Sequence, residues 1–253
     1  MDKQFNPFSL EGKTVLVTGA SSGIGRQCAI DCSKMGAKVV AVGRNKERLN
    51  EVVMEMEGRG VSYSFDLGNT EGIKELLTTI VEENGKLDGF IHAAGIELTN
   101  PVKLTKSDDY KALFQVNCLS AFEIIKNLGV KTFNKGGSMV LISSISGVIA
   151  RMGLSAYAAS KGALMSAARV MALELSLREI RVNTVSPGTI HTPMMQKVLD
   201  EMGEEERKKR VEGFPLGLGR TTDISNACIY LLSDASRWVT GQNLIVDGGY
   251  TIK

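Results

Sequence analysis

Two side chains four residues apart, Tyr157 and Lys161, form the pair in this sequence best suited to proton transfer. In a helix, residues at this spacing lie one turn apart on one face, so the phenol and the ammonium would be neighbours. A nearby cation favours phenolate and is expected to lower the pKa of Tyr157 toward the range of a general acid or base. Ser144 follows the apolar run 139–142 and would converge with Tyr157 on one substrate oxygen. The spacing alone is common, and a solvated tyrosine and lysine on an ordinary helix is the alternative.

A glycine-rich turn near the amino terminus is the second candidate for chemistry. The β-branched run 13–18 predicts a buried strand, and a helical pattern extends from the turn to residue 35. The glycines allow a tight turn, and the helix start offers free N–H groups and a positive dipole end to a pyrophosphate. The predicted contacts in this turn are Gly19, Ser21, Ser22, Gly23, Ile24 and Gly25.

The end of the second predicted strand, 37–42, is where a dinucleotide-binding fold selects its cofactor. An acidic residue there would bind a ribose 2′-hydroxyl, but this chain has Arg44, with Lys46 and Arg48 close behind. An arginine suits the 2′-phosphate of NADP(H), so we predict that cofactor. The alternative is a solvated start of the charged helix 46–57.

Other predicted strand ends supply further candidates. Asp66 and Leu67 follow the strand 61–65, and the aspartate would accept a hydrogen bond from an adenine amino group. The strand 87–92 ends in His92, which we interpret as locally hydrogen-bonded rather than catalytic. Small residues then allow the backbone to pass close to a cofactor: Ala93, Ala94 and Gly95.

Asn117 is a polar residue on an otherwise apolar face of a predicted helix spanning 107–133. A buried amide must find hydrogen-bond partners. It is either a structural residue or a group that bends the helix and holds a water for a proton relay.

Seven apolar runs alternate with helical segments along the chain, which predicts an α/β fold with a parallel sheet covered by helices on both faces. Ligands of such sheets bind at the carboxyl ends of the strands, where the candidate residues fall. The sixth strand, 179–185, leads to further candidates at this edge: Pro187, Gly188, Ile190 and Thr192. We expect one domain, residues 1–253, with a substrate-covering segment at about 190–218.

The composition excludes several classes of protein. A net charge of +2 gives no reason to expect nucleic acid or a membrane surface as a partner, and no apolar run is long enough to cross a bilayer. The four cysteines lack metal-ligand spacing and are expected to be core residues in a reducing compartment, so we expect no metal and a cytoplasmic location.

With these motifs in place, residues 10–250 resemble the short-chain dehydrogenase/reductase family in its short single-domain subgroup. The stretch 18–25 resembles its cofactor motif, Asn117, Ser144, Tyr157 and Lys161 its catalytic tetrad, and Pro187-Gly188 a later motif. The resemblance implies a three-layer, doubly wound Rossmann fold with a mostly parallel seven-stranded sheet. The stretch 92–95 departs from it, since the family usually has Asn-Asn-Ala-Gly there.

The resemblance also implies roles for the tetrad. Tyr157 exchanges a proton with the substrate oxygen, which Ser144 hydrogen-bonds. Lys161 lowers the tyrosine pKa and holds the nicotinamide ribose, and Asn117 supports a water-linked proton path. Hydride transfer itself belongs to the cofactor.

The substrate is less defined than the reaction. The overall similarity to 3-oxoacyl-[acyl-carrier-protein] reductases implies a thioester, with Lys135 and Arg178 placed to dock an acidic carrier. A sugar, polyol or steroid alcohol dehydrogenase, NAD-linked or NADP-linked, is the alternative, and a non-catalytic NADP-binding regulator is a remote one. The resemblance further implies a homotetramer, consistent with the small and apolar residues at 154–177.

Overall fold

A computed structural model of the protein describes residues 6–129 and 131–253; residues 1–5, half of the polar amino-terminal stretch, lie outside it. The described residues contain one sheet of seven strands. These are β1 Thr14–Thr18, β2 Lys38–Gly43, β3 Gly60–Ser64, β4 Leu87–His92, β5 Phe133–Ile142, β6 Arg181–Pro187 and β7 Asn243–Val246.

Helices connect the strands and cover both faces of the sheet. The α-helices are α1 Gly23–Lys34, α2 Lys46–Glu55, α3 Ile73–Asn84, α4 Ser107–Phe114, α5 Ser120–Asn127, α6 Ser155–Leu175, α7 Pro193–Asp200, α8 Glu204–Glu212 and α9 Thr221–Leu232. A π-helical turn, Gln115–Leu119, joins α4 to α5, and 3₁₀ turns lie at Val102–Leu104, Ile145–Gly147, Ser176–Arg178, Asp234–Ser236 and Tyr250–Ile252.

The strand order is β3-β2-β1-β4-β5-β6-β7, and every pair of neighbours is parallel. The order reverses between β1 and β4. Strands β2 and β3 lie on the β1 side of this point, and β5, β6 and β7 lie on the β4 side. Such a switch point opens a crevice at the carboxyl ends of the two strands. The predicted α/β fold, doubly wound with helices on both faces, is therefore confirmed.

Alternating side chains of the strands pack into two separate cores. In β1, Val15 and Val17 face the layer that contains α1 and α9, whereas Leu16 faces the layer of α3, α5 and α6. All three are almost completely buried. Burial on both faces explains why the strands are nearly continuous apolar runs rather than alternating ones.

The helix predicted for 107–133 is shorter and less regular than expected. It ends at Asn127, and Phe133 instead begins β5, paired with Leu87 and fully buried. The pairing then shifts, so that Gly89 is the partner of Ser138. The prediction was wrong here because the hydrophobic contacts of Phe133 suit a strand start as well as a helix face.

The segment predicted to cover the substrate consists mainly of α7 and α8. Its two ends meet in a single parallel bridge between Ile190 and Gly219, in which the His191 N–H donates to the Gly219 carbonyl at 2.9 Å. Arg207 of α8 donates two hydrogen bonds to the Leu199 carbonyl of α7, so the two helices are tied together. Among the described helices, none has the length and apolar character required to cross a membrane.

Candidate active site

One cavity of about 270 Å³ opens at the carboxyl edge of the sheet. It is lined by every residue that the sequence predicted to contact a cofactor. These are Gly19, Ser21, Ser22, Gly23, Ile24, Gly25, Arg44, Asp66, Leu67, Ala93, Ala94, Gly95, Tyr157, Lys161, Pro187, Gly188, Ile190 and Thr192. The structure thus brings residues from five strand ends and from helix α6 to one place.

Two glycines at the cavity floor have no room for a side chain. A Cβ on Gly19 would lie 2.7 Å from the Ala94 nitrogen, and Gly19 has a φ of +68° that favours glycine. A Cβ on Gly25 would lie 2.4 Å from the Gly19 carbonyl oxygen. The turn between β1 and α1 therefore packs backbone against backbone, and its inner surface can approach a ligand closely.

The start of α1 suits a phosphate group. Ser22 precedes the helix in an extended conformation, and its side chain does not cap the first turn. The N–H groups and the positive dipole end of α1 therefore face the cavity. Thr192 lies across from this turn, with its methyl group 3.5 Å from where a Cβ of Gly23 would be. The glycine cradle and this helix start fit the pyrophosphate of a nicotinamide dinucleotide.

Arg44 precedes helix α2 and is not part of it. Helix α2 begins at Lys46, and Asn45 caps it by accepting a hydrogen bond from the Arg48 N–H at 2.8 Å. Arg44 is exposed and lines the cavity directly after β2. Among the described residues, no carboxylate pairs with its guanidinium, so the group is available to an anion.

The ends of β3 and β4 complete the walls. The Asp66 carboxylate accepts from the Gly68 N–H at 3.0 Å, which holds the start of the following loop. At Gly95, a Cβ would lie 3.3 Å from both the Asn117 Oδ1 and the Lys161 Nζ. A small residue is therefore needed here for two polar side chains to reach the cavity wall.

Ser144 and Tyr157 reach the same cavity from different elements. Ser144 follows β5, and its Oγ accepts a hydrogen bond from the Ser146 N–H at 3.1 Å, which fixes the start of a 3₁₀ turn. Tyr157 lies in the first turn of α6. The neighbouring Ser143 is buried and donates to the Lys161 carbonyl at 2.8 Å, so strand and helix are held together beside the site.

Lys161 is the most buried charged group of the site, with 4% of its surface exposed. Its Nζ donates to the Ile142 carbonyl at 2.8 Å and lies 5.7 Å from the centre of the Tyr157 ring. Burial lowers the pKa of Lys161 to about 8, although Cys118 and Glu97 act in the opposite direction. The ammonium is therefore still the main form at neutral pH.

The expected lowering of the Tyr157 pKa by Lys161 is not found. Burial raises the pKa of Tyr157 well above 10, and the negative charge of Glu97 raises it further. A hydrogen bond to Ser144 and the charge of Arg151 lower it only in part. Desolvation outweighs the cation because Lys161 is itself buried and directed to the Ile142 carbonyl. The phenol is consequently protonated at neutral pH.

Asn117 lies behind the cavity wall rather than in it. Its Oδ1 accepts from the Ile96 N–H at 2.8 Å, and its Nδ2 donates to the Ile96 carbonyl and to the Ser160 Oγ. These bonds clamp the segment after β4 against α6. Asn117 also sits in the π-helical turn, so the helix is interrupted at this residue, as the bent-helix alternative anticipated.

His92 is fully buried at the end of β4. Its Nδ1 lies 3.0 Å from the Thr18 Oγ1, and its Nε2 has no hydrogen-bond partner of normal geometry among the described residues. Burial and the charge of Lys161 lower the pKa of His92 to about 3. The neutral ring does not line the cavity, which agrees with a local rather than a catalytic role.

Two charged residues of the cavity lining were not singled out from the sequence. Glu97 and Arg151 both line the wall beside Tyr157. Both lie in loops, where no periodic pattern of apolar residues identifies them. Their positions in the sequence, close to predicted site residues, were the available signal. Glu97 follows the small residues after β4, and Arg151 lies between Ser144 and Tyr157 in the chain.

The two residues considered for carrier docking are engaged elsewhere. Arg178 donates to the Phe133 and Leu128 carbonyls, and Lys135 forms an ion pair with Glu179 at 2.8 Å. Lys135 lies near the start of β5 and Arg178 precedes β6, so in one chain both are at the opposite edge of the sheet from the cavity. Within one chain, neither residue contributes to the cavity.

Comparisons with known proteins agree with this geometry. A family model described as enoyl-(acyl carrier protein) reductase matches residues 19–251. The 3-oxoacyl-[acyl-carrier-protein] reductase FabG of Thermotoga maritima is 34% identical over 96% of this chain and 99% of its own length. The NADP-dependent (R)-specific alcohol dehydrogenase of Lentilactobacillus kefiri is 35% identical over 96% of this chain and 98% of its own.

A solved structure gives the same result. The crystal structure of a dehydrogenase/reductase from Sinorhizobium meliloti 1021 superposes with a TM-score of 0.89 and 32% identity. The match covers 96% of this chain and 97% of that one. Similarity therefore extends over the whole catalytic fold, including the covering segment.

Proposed function

The chain belongs to the short-chain dehydrogenase/reductase family, and we propose that it is an NADP(H)-dependent member that reduces a carbonyl to an alcohol or catalyses the reverse. As a member of this family it is an oxidoreductase acting on CH–OH and C=O groups. The observation that carries the proposal is the convergence of Ser144, Tyr157 and Lys161 on the cavity that contains the glycine cradle.

The proposed chemistry uses the protonation states of the site. The bound nicotinamide cofactor supplies the hydride for the carbonyl carbon, or accepts it in the reverse direction. Tyr157, protonated at neutral pH, donates its proton to the carbonyl oxygen, and solvent later restores that proton. Ser144 donates a hydrogen bond to the same oxygen, which polarises the carbonyl.

Lys161 and Asn117 support this step in different ways. Lys161 does not lower the pKa of the resting phenol; its ammonium, held by the Ile142 carbonyl, lies 5.7 Å from the centre of the Tyr157 ring. It also has donors left for a ribose hydroxyl. The Asn117 side chain holds the backbone of Ile96, in the segment after β4 that forms one wall of the cavity. This contact maintains the width of the cavity. We therefore assign Asn117 a positioning role, and the water-linked path stays a prediction.

Arg44 supports NADP(H) as the cofactor. The guanidinium follows β2, where a ribose 2′-substituent of a dinucleotide is expected, and no acidic residue of the described chain neutralises it. A phosphate monoester there would receive charge-assisted hydrogen bonds. The similarity to an NADP-dependent alcohol dehydrogenase is consistent with this preference.

Two substrate classes follow from the relatives. Similarity to FabG supports a 3-oxoacyl thioester, and similarity to alcohol dehydrogenases supports a smaller ketone or alcohol. The engagement of Lys135 and Arg178 removes one reason for expecting a carrier protein. The small-molecule alternative is favoured on that ground.

A cofactor-oxidation assay tests the proposal. Purified protein is mixed with NADPH or NADH and a panel of ketones and thioesters, and absorbance of the reduced cofactor is followed. We expect Tyr157→Phe to lower kcat at least 10³-fold, because the phenol that donates the proton to the carbonyl oxygen is removed.

The same assay decides the cofactor. Arg44→Ala should reduce the preference of kcat/KM for NADPH over NADH by 10-fold or more, whereas Arg48→Ala, which keeps Arg44, should leave it unchanged. Full activity of Tyr157→Phe would refute the catalytic assignment. An unaltered preference in Arg44→Ala would refute the cofactor assignment alone.

A further inference from the structure

The cavity contains two charged side chains that the proposed chemistry does not use. Glu97 and Arg151 line the wall beside Tyr157, and both are half-buried. Within the described part of the chain, neither makes a hydrogen bond or an ion pair within 4.0 Å. Burying a charged group without a hydrogen-bonding or charged partner is unfavourable. Such groups are retained mainly where a bound ligand supplies that partner.

The backbone segments that carry these two side chains are anchored by hydrogen bonds. Glu97 lies in the segment after β4, which Asn117 anchors at Ile96. Arg151 lies in the loop before α6, and this loop accepts the Asn100 N–H at the Gly153 carbonyl, at 2.8 Å. The loops that carry the carboxyl and the guanidinium are therefore fastened to each other, so both side chains extend from fixed backbone positions at one wall.

The charge around this wall is predominantly positive. Two cations of the cavity lining, Arg151 and Lys161, act on Glu97, so two positive groups face one carboxyl. Glu97 and Arg151 also act on Tyr157 in opposite directions, which places both within electrostatic range of its hydroxyl. A substrate here meets an excess of positive charge and one hydrogen-bond-accepting carboxyl.

We propose that Glu97 and Arg151 select the substrate, and that it is a polyhydroxylated carboxylic acid whose carboxylate binds Arg151 and whose hydroxyl binds Glu97. The inference rests on the proposed function, because it places this acid at Tyr157. The planar guanidinium matches a carboxylate through two parallel hydrogen bonds. The carboxyl of Glu97 accepts from a hydroxyl close to the reacting carbon.

Other substrate classes fit this wall less well. A fatty acyl chain would cover Glu97 and Arg151 with methylene groups and leave both charges desolvated without partners. A neutral polyol would satisfy Glu97 but not the positive groups. An acid with hydroxyls satisfies both, so charge complementarity decides among the three.

Steady-state kinetics with three classes of probe test the inference. The polyhydroxylated keto acids are 2-keto- and 5-keto-D-gluconate, the neutral polyhydroxylated ketone is D-fructose, and the neutral thioester is acetoacetyl-N-acetylcysteamine. We expect kcat/KM for at least one keto acid to exceed those of the other two probes by 30-fold or more. Arg151→Gln should remove that advantage through KM, with Arg151→Lys intermediate and the exposed Arg59→Gln unchanged.

Glu97→Gln should lower kcat/KM for the keto acid and for fructose about 10-fold more than it lowers kcat/KM for the thioester. Preference for the thioester, or equal responses of all probes to Arg151→Gln, would overturn the inference while Tyr157→Phe still tests the reaction. Absence of turnover with every probe, together with no stabilisation of the NADP complex by D-gluconate, would also overturn it. If the proposed function itself is wrong, the Tyr157→Phe protein will instead remain active.

Discussion

At the scale of single residues, His92 is a buried group whose neutral state is part of the fold. Burial keeps the pKa of His92 near 3, compared with 6.5 for a free histidine. Between these values the unfolded chain binds a proton that the folded chain does not. The free energy of unfolding therefore falls as the pH decreases from about 6.5 toward 3, and is unaffected by this residue above that window.

This predicts a measurable effect of His92→Asn. Between pH 6.5 and pH 5 the wild-type protein should lose about 2 kcal/mol of unfolding free energy through His92, and the variant should lack this loss. Urea denaturation at both pH values measures it. His191→Asn is the matched control, because His191 is exposed and its replacement should keep the wild-type pH dependence. Identical losses in wild type and His92→Asn would contradict the assignment.

At the scale of elements, the turn from β1 to α1 depends on close backbone packing that only glycine allows. In Gly25→Ala the new Cβ would lie 2.4 Å from the Gly19 carbonyl oxygen, so α1 must move away from β1. We expect a loss of roughly 1–3 kcal/mol of stability from such overpacking. NADP(H) affinity should fall at least 10-fold, because the same turn forms the phosphate cradle.

A second helix glycine provides the control. Gly162 lies in α6, and a Cβ there would meet its nearest atom, the Gly147 carbonyl oxygen, at 3.8 Å. Gly162→Ala should therefore gain about 0.5–1 kcal/mol from helix propensity. Urea denaturation and calorimetric titration with NADP would compare the two variants. If Gly25→Ala and Gly162→Ala change stability equally and with the same sign, close packing does not exclude a side chain at Gly25.

The same elements show how far the sequence alone could lead. The strands were predictable because burial on both faces leaves near-continuous apolar runs, and the strand ends then place Gly19, Arg44 and Ser144 on one edge. Phe133 was misplaced because its side chain is buried equally well in a strand or a helix. The Tyr157 pKa was mispredicted because desolvation depends on packing that spacing does not reveal. Glu97 and Arg151 were missed because loops carry no periodicity.

At the scale of the whole molecule, α6 and the 3₁₀ turn that follows it present an apolar stripe to solvent. Val170, Leu173 and Leu177, spaced three and four residues apart, are 57%, 75% and 91% exposed in the single chain. Residues at this spacing share one helix face. Exposed apolar surface of this kind marks an interface, and a two-fold axis lets the same face pack against its own copy. We therefore propose that α6 pairs two chains within the predicted homotetramer.

Light scattering after size exclusion tests this pairing. The wild-type protein should elute as a tetramer of about 109 kDa, four times the 27.3 kDa chain. The double variant Val170→Lys, Leu173→Lys should form smaller species, because two ammonium groups on each helix would face each other across the axis. Met54→Lys is the control, since Met54 is 79% exposed on α2 and lies outside this face. A monomeric wild type, or a double variant that stays tetrameric, would exclude α6 as the pairing surface.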